Sequence, residues 1–172
     1  DTKGCSINQK KDDDKDGVIN GIDLCDNTPT GIKVNIKGCT IIEDIEGNEY
    51  GTIKIGSQTW MSENLKTTTY NNGTAILHVT EINDWTNTND GAYSNYDNNN
   101  QYGNDYGRLY NWKSTTKGLC PEGWKIPTKE NWDNLIDYVG GIAIAGNKLK
   151  DTGLDHWFTP NHEFSSDEFG FS

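Results

Sequence analysis

The chain has 172 residues, enough for one ordinary domain and a small appendage. Only 32% of its residues are apolar, yet six Trp, eight Tyr and four Phe can build an aromatic core, which excludes a disordered chain. A net charge of −11 excludes nucleic acid and anionic membrane, which need a basic surface, and suits a divalent cation.

No stretch approaches the roughly 20 apolar residues of a membrane span, so no direct span is expected. The chain starts at Asp1 with no signal-peptide pattern, which reads as a processed chain or a fragment.

Near the N-terminus, residues 10–27 read KKDDDKDGVINGIDLCDN. Counted from Asp12, the acidic residues Asp12, Asp14 and Asp16 take positions 1, 3 and 5 of a twelve-position loop. Gly17 follows at 6, Val18 at 7, Asn20 at 9 and Asp23 at 12. That is the layout of a calcium loop: a hard cation wants six to eight oxygens, and alternate carboxylates on a tight turn supply them. Gly17 permits the turn and Val18 offers its carbonyl. The competing readings are a solvated acidic linker and an affinity-tag scar. The scar explains DDDK and nothing after it, and the linker explains neither Gly17 nor Asp23. Amphipathic helices are missing on both sides, so this is not an EF-hand.

The cysteines are Cys5, Cys25, Cys39 and Cys120, with no C-x-x-C pair to suggest a zinc ribbon or a redox motif. Cys25 and Cys39 frame a loop rich in Pro, Thr and Gly and read as a local disulfide, worth about 3 kcal/mol for a loop of roughly 15 residues. An even cysteine count also allows Cys5–Cys120.

From about Glu43 the composition changes. TIKIGSQTWM (52–61) reads as one or two strands around a Gly-Ser turn, and Asn72-Gly73 is a strong turn signal. Residues 85–112 hold five Tyr and eight Asn. No helical or strand period crosses their centre, so a long loop with short extended pieces is expected. A helix is predicted at about 128–139. Thr128 is its N-cap, Glu130 lies in the first turn, Trp132, Leu135, Ile136 and Val139 form one buried stripe, and Gly140-Gly141 stops it. A weaker helical pattern covers 143–150. Residues 156–172 read as loop and strand.

The stretch DDDKDGVINGIDLCDNTPTGIKVNIKGC resembles a thrombospondin type 3 repeat, in which calcium loops and disulfides replace a hydrophobic core. The resemblance implies Asp12, Asp14, Asp16, Asn20 and Asp23 as calcium ligands and Cys25 and Cys39 as the repeat's cysteines. Asn20 departs from the commoner Asp but still offers an oxygen. KGC at 37–39 echoes KGC at 3–5, so Cys5 looks like the last cysteine of a preceding repeat. GNEYGTIKIGSQTWMSENLKTTTYNNGTAI, then YGRLYNW, then GLCPEGWKIPTKENWDNLIDYVGG resemble the Fibrobacter succinogenes major paralogous domain of bacterial secreted and surface proteins. The GWKIPTKENW element is also similar to one in formylglycine-generating-enzyme-like and C-type-lectin-like folds. The resemblance implies an α+β, C-type-lectin-like domain over 42–172 after a stalk over 1–41. The family pattern continues beyond residue 172, with a late cysteine that would pair with Cys120.

Catalytic patterns are poor. His162-Glu163 fails as HExxH because Ser166 stands where the second His belongs, and His156 and His162 read as surface residues. Cys120 reads as half of a structural disulfide rather than a nucleophile. Trp60, Trp112, Trp124 and Trp132 are expected in the core. Tyr93, Tyr96, Tyr102 and Tyr106 form a candidate ligand loop, because Tyr gives rigid contact area and Asn adaptable hydrogen bonds. A hydrophilic loop with buried aromatic anchors is the plainer reading of that stretch. The expected protein is therefore a non-enzymatic module, extracellular or associated with a bacterial outer membrane. Its calcium-stiffened stalk would present a lectin-like domain to a surface protein or glycan for adhesion. The alternatives are a structural subunit of an outer-membrane assembly and a formylglycine-generating-enzyme-like enzyme.

Overall fold

The structure, a computed structural model, describes residues 11–152 and 165–171. Among them are two short three-stranded sheets and four α-helices, a mixed α/β chain. Cys5, His156, His162 and Glu163 lie outside the described residues, as does most of the loop and strand expected over 156–172. No helix among the described residues is long and apolar enough to cross a membrane. The contacts divide the chain into two compact units. One comprises residues up to Ile41, Gly51–Ser62 and the chain from Lys129; the other comprises Ile42–Tyr50 and Glu63–Thr128.

In the first sheet the strand order is β1 (Ile41–Glu43), β2 (Glu49–Ile55), β3 (Gln58–Met61). β2 and β3 form the expected hairpin, in antiparallel register with Ile53 opposite Trp60 and Ile55 opposite Gln58. Gly56 makes the turn at φ 62°, which suits a turn with glycine in its first central position. A Cβ there would stand 2.8 Å from the Tyr138 ring, so the glycine also lets α3 pack close. Ile53, Ile55 and Trp60 bury against Leu135 of α3 (Lys129–Tyr138), Val139 just past its end, and Ala145 of α4 (Ile142–Leu149). Both expected helices are present. Gly140 and Gly141 separate them at φ 110° and 98°, backbone that other residues rarely adopt.

The tryptophan expectation is only partly met. Trp60 is buried, but Trp132 is 42% exposed and Trp112 78% exposed. Trp132 lays one side on Trp60, with ring centroids 4.9 Å apart, and leaves the other to solvent. Trp112 is turned out because its neighbour Asn111 is turned in. The Asn111 side-chain oxygen accepts from Ala92 N at 3.1 Å and from Ser114 N at 3.1 Å.

In the second unit the strand order is β4 (Leu77–His78), β5 (Ala92–Ser94), β6 (Leu109–Tyr110), with β4 parallel and β6 antiparallel to β5. A small core of Tyr70, Ile76 and Leu119 lies here, with Leu65, Tyr93 and Tyr110 packed on it. Asn72-Gly73 does form a turn: Gly73 has φ 83° and donates its N–H to Tyr70 O at 2.8 Å. The long-loop expectation for 85–112 needs correction. α1 (Ile82–Asn87) enters the stretch and α2 (Asn100–Tyr106) lies within it. α2 is poor in helix formers and is held by contacts instead. The Asn99 side chain accepts from Gln101 N at 2.9 Å, and Gly103 leaves room for Arg108 and Asn95, which a Cβ would overlap.

A polar network that residue patterns do not announce holds the start of this unit. Buried Asp44 accepts from Glu46 N, Asn48 N, Asn48 Nδ2 and the Tyr50 hydroxyl, the last at 2.7 Å. The Tyr50 oxygen in turn accepts from Lys66 N at 3.0 Å. Glu46 grips the Thr67-Thr68-Thr69 run through three hydroxyls and Thr68 N. Burial raises the Glu46 carboxyl pKa, but the bonds from Thr68, Thr69 and Thr67 outweigh it and hold the value below the ordinary range.

Candidate metal loop and tyrosine face

Along 11–20 burial alternates residue by residue: Asp12, Asp14, Asp16, Val18 and Asn20 are half-buried, and the residues between them are exposed. An extended turn with period 2 therefore carries the carboxylates on one side. Gly17 at φ 100° and Lys15 at φ 63° tighten the turn. Asp12 accepts from Lys15 N at 2.7 Å and Gly17 N at 3.1 Å, and Asp16 Oδ1 accepts from Val18 N at 2.7 Å. Asp14 Oδ2 accepts from Thr28 N at 2.8 Å, which ties the loop to the segment beyond it. One carboxylate oxygen each from Asp12, Asp14 and Asp16 lies within 4.8 Å of the others.

Asp23 joins this group through Gly38. That glycine is buried at φ 74°, and a Cβ on it would stand 2.1 Å from Asp23 Oδ1 and 3.0 Å from Asp16 Oδ2. Asp16 Oδ2 is buried and has no hydrogen-bond partner. Burial pushes the Asp23 carboxyl pKa up and the Cys25 N–H opposes it, while Asp16, Asp14 and Asp26 add repulsion. Two like charges 4 Å apart near a protein surface repel by about 4 kcal/mol. Lys11 pairs instead with Asp13 on the exposed side, at 2.6 Å. The donor set is all oxygen, crowded and short of positive charge, and that chemistry fits a hard divalent cation.

Asn20 stands apart from the carboxylates. Its oxygen accepts from Asp13 N at 3.0 Å and its amide donates to Asp13 Oδ2 at 2.8 Å, closing the loop across its mouth. Val18 turns its N–H to Asp16. The structure thus gathers Asp12, Asp14 and Asp16, sets Asp23 beside Asp16 at Gly38, and ties Asn20 to Asp13.

The segment is anchored by the expected disulfide, Cys25–Cys39, with Cα atoms 5.1 Å apart. Cys39 is buried in the core of Trp60 and Leu135, with Cys25 packed against it, and Thr28 Oγ1 donates to Gly38 O at 2.7 Å. Cys120 is a half-buried free thiol whose pKa is raised by burial.

The four candidate tyrosines divide. Tyr93 is half-buried, stacked on His78 at 4.7 Å with the Arg108 guanidinium over its ring at 5.7 Å. Tyr96, Tyr102 and Tyr106 instead form a row, with successive ring centroids 5.8 and 5.7 Å apart. Tyr96 is 62% and Tyr106 42% exposed. Arg108, which lies in the YGRLYNW motif though the motif gives it no role, braces the row: it donates to Asn95 Oδ1 at 3.0 Å and Asn104 Oδ1 at 3.4 Å.

No curated protein and no solved structure matches the chain. Residues 53–172 do match the Fibrobacter succinogenes major domain, from within β2 of the β2–β3 hairpin through the second sheet and all four helices, and the chain belongs to that family.

Proposed function

We propose that the chain is a non-enzymatic binding module displayed at a bacterial surface. A calcium-braced, thrombospondin type 3-like segment carries a C-type-lectin-like domain that adheres to a protein or glycan outside the cell. The observation that carries this reading is the gathering of Asp12, Asp14 and Asp16, with Asp23 beside the unpartnered Asp16 oxygen. Asp12, Asp14, Asp16 and Asp23 would hold the ion, with the Val18 carbonyl as a further donor. Calcium would supply charge neutralisation, and the turns between Asp12 and Val18 would lose their tendency to spring apart. The disulfide and the Thr28 bonds then transmit that stiffness to the domain's core.

Titration calorimetry tests it. Calcium should bind with a dissociation constant on the order of 0.1–1 mM, the range of extracellular modules, and magnesium more weakly because it resists an irregular cage. Asp16→Asn should weaken calcium roughly tenfold, since losing about 1.4 kcal/mol of charge attraction is tenfold. Binding unchanged in Asp16→Asn, or no calcium heat at all, would overturn the reading.

A further inference from the structure

We infer that the row Tyr96–Tyr102–Tyr106 is a docking face for an uncharged carbohydrate chain. The inference rests on the binding-module reading above and gives it a ligand class.

The row is built rather than incidental. Its rings follow one another at 5.8 and 5.7 Å, tilted by 46° and 43°, and its two end members are the most exposed. Spaced aromatic faces of this kind suit the apolar C–H faces of successive sugar rings. The backbone that presents Tyr96 is strained: Asp97 and Asn98 are consecutive non-glycine residues at φ 54° and 50°. Such strain persists where the surroundings enforce it, and it clusters at ligand clamps. Here Asn98 N donates to Asn95 O at 3.0 Å and Asn98 Nδ2 to Thr80 O at 3.0 Å, so both ends of the kink are fixed. Gly103 lies below the row, and a Cβ there would press on the Arg108 and Asn95 side chains that pack under it.

Charge selects the ligand. Between Lys66 and Arg108 the sequence has no lysine or arginine, while Glu81, Asp84, Asp97 and Asp105 are acidic; Asp90 is acidic too but pairs with Lys117. Anionic polymers are repelled from such a surface. Amides outnumber carboxylates around the rings: Asn98, Asn99, Asn100, Gln101 and Asn104 against Asp97 and Asp105. Asn99, Asn100 and Asn104 engage their side-chain oxygens within the fold, with Gln101 N, Asn95 Nδ2 and Arg108 Nη2, and their NH2 ends take no part in those bonds. Fixed amide donors beside aromatic faces match neutral hydroxyls better than they match lysine or arginine chains.

The test is native affinity electrophoresis of the full chain. Gels carry an uncharged β-glucan or galactomannan, with polygalacturonate as the anionic control, and bead-bound polylysine is run in parallel. At least one uncharged polysaccharide should retard the chain and polygalacturonate should not. Tyr96→Ala and Tyr106→Ala should each weaken retardation roughly fivefold, the loss of one stacked ring, with only the small fall in thermal midpoint that losing one aromatic pair brings. Tyr96→Phe and Tyr106→Phe should keep it. Retardation that ignores both alanine variants overturns the inference. Tyrosine-dependent capture on polylysine alone also overturns the carbohydrate class, yet leaves the binding-module reading standing. An absence of retention on every polymer removes the tyrosine face as a site, while calcium binding is read separately by calorimetry.

Discussion

Asp44→Ala should lower the stability of the protein by about 3–5 kcal/mol, a large share of the roughly 5–15 kcal/mol typical of a domain. The carboxylate ends four hydrogen bonds, and its partner Tyr50 is fully buried at 0% exposure. Glu46 N and Asn48 can turn to water when the carboxylate is gone, but the Tyr50 hydroxyl cannot. A buried donor left unmade costs about 1–3 kcal/mol, and bonds to a charged acceptor contribute about 1.5–3 kcal/mol more. The effect should spread, because Glu46 sits on the same turn and grips Thr67, Thr68 and Thr69. Tyr50→Phe removes one hydroxyl and leaves the Asp44 turn intact, so about 1–2 kcal/mol is expected. Urea unfolding of both variants measures the difference. A loss below about 1 kcal/mol for Asp44→Ala would mean that water enters the site and replaces the network.

Gly38→Ala should cost about 3 kcal/mol and also weaken calcium. At φ 74° an L-residue is strained by roughly 1–2 kcal/mol. Its Cβ would then overlap the Asp23 carboxylate, at 2.6 Å from Cγ, and overpacking adds about 1–3 kcal/mol unless Asp23 swings away. Swinging away removes a proposed ligand. Gly31→Ala separates the two causes. Gly31 has φ 88° with nothing within 4 Å of its Cβ position, so only the backbone term of about 1–2 kcal/mol applies. Thermal unfolding with and without calcium reads both. If Gly38→Ala and Gly31→Ala behave alike, the cradle around Asp23 is not as described.

Features written in local spacing were legible in the chain. The β2–β3 hairpin shows its β-branched residues and its Gly-Ser turn. α3 and α4 show a 3.6-residue stripe broken by two glycines, and Cys25 and Cys39 enclose a turn-rich loop. What stayed hidden depends on residues far apart in sequence. α2 has few helix formers and exists because Arg108 and Asn95 close on Gly103. Trp112 looks like core by composition, yet Asn111 takes the inward position to bind Ala92 and Ser114. The bonds between Asn20 and Asp13, seven residues apart, are not written in the D-x-D-x-D-G spacing. The role of Gly38 arises fifteen residues beyond the carboxylate it accommodates, and the KGC pattern that contains it says nothing of that contact. In the tyrosine stretch, composition named the residues, and only the fold separated the row of three from Tyr93.

The central claim is that calcium holds the loop of Asp12, Asp14, Asp16 and Asp23 closed, and tryptic cleavage at Lys15 tests it most directly. Lys15 sits inside the loop at φ 63°, with its N–H bound to Asp12, a conformation a protease cannot accept without opening the turn. At calcium ten times its dissociation constant, opening is suppressed about tenfold. Adding EDTA should raise cleavage after Lys15 by about that factor, read by mass spectrometry, while cleavage in the β2–β3 hairpin does not change. Equal cleavage after Lys15 with calcium and with EDTA would contradict it.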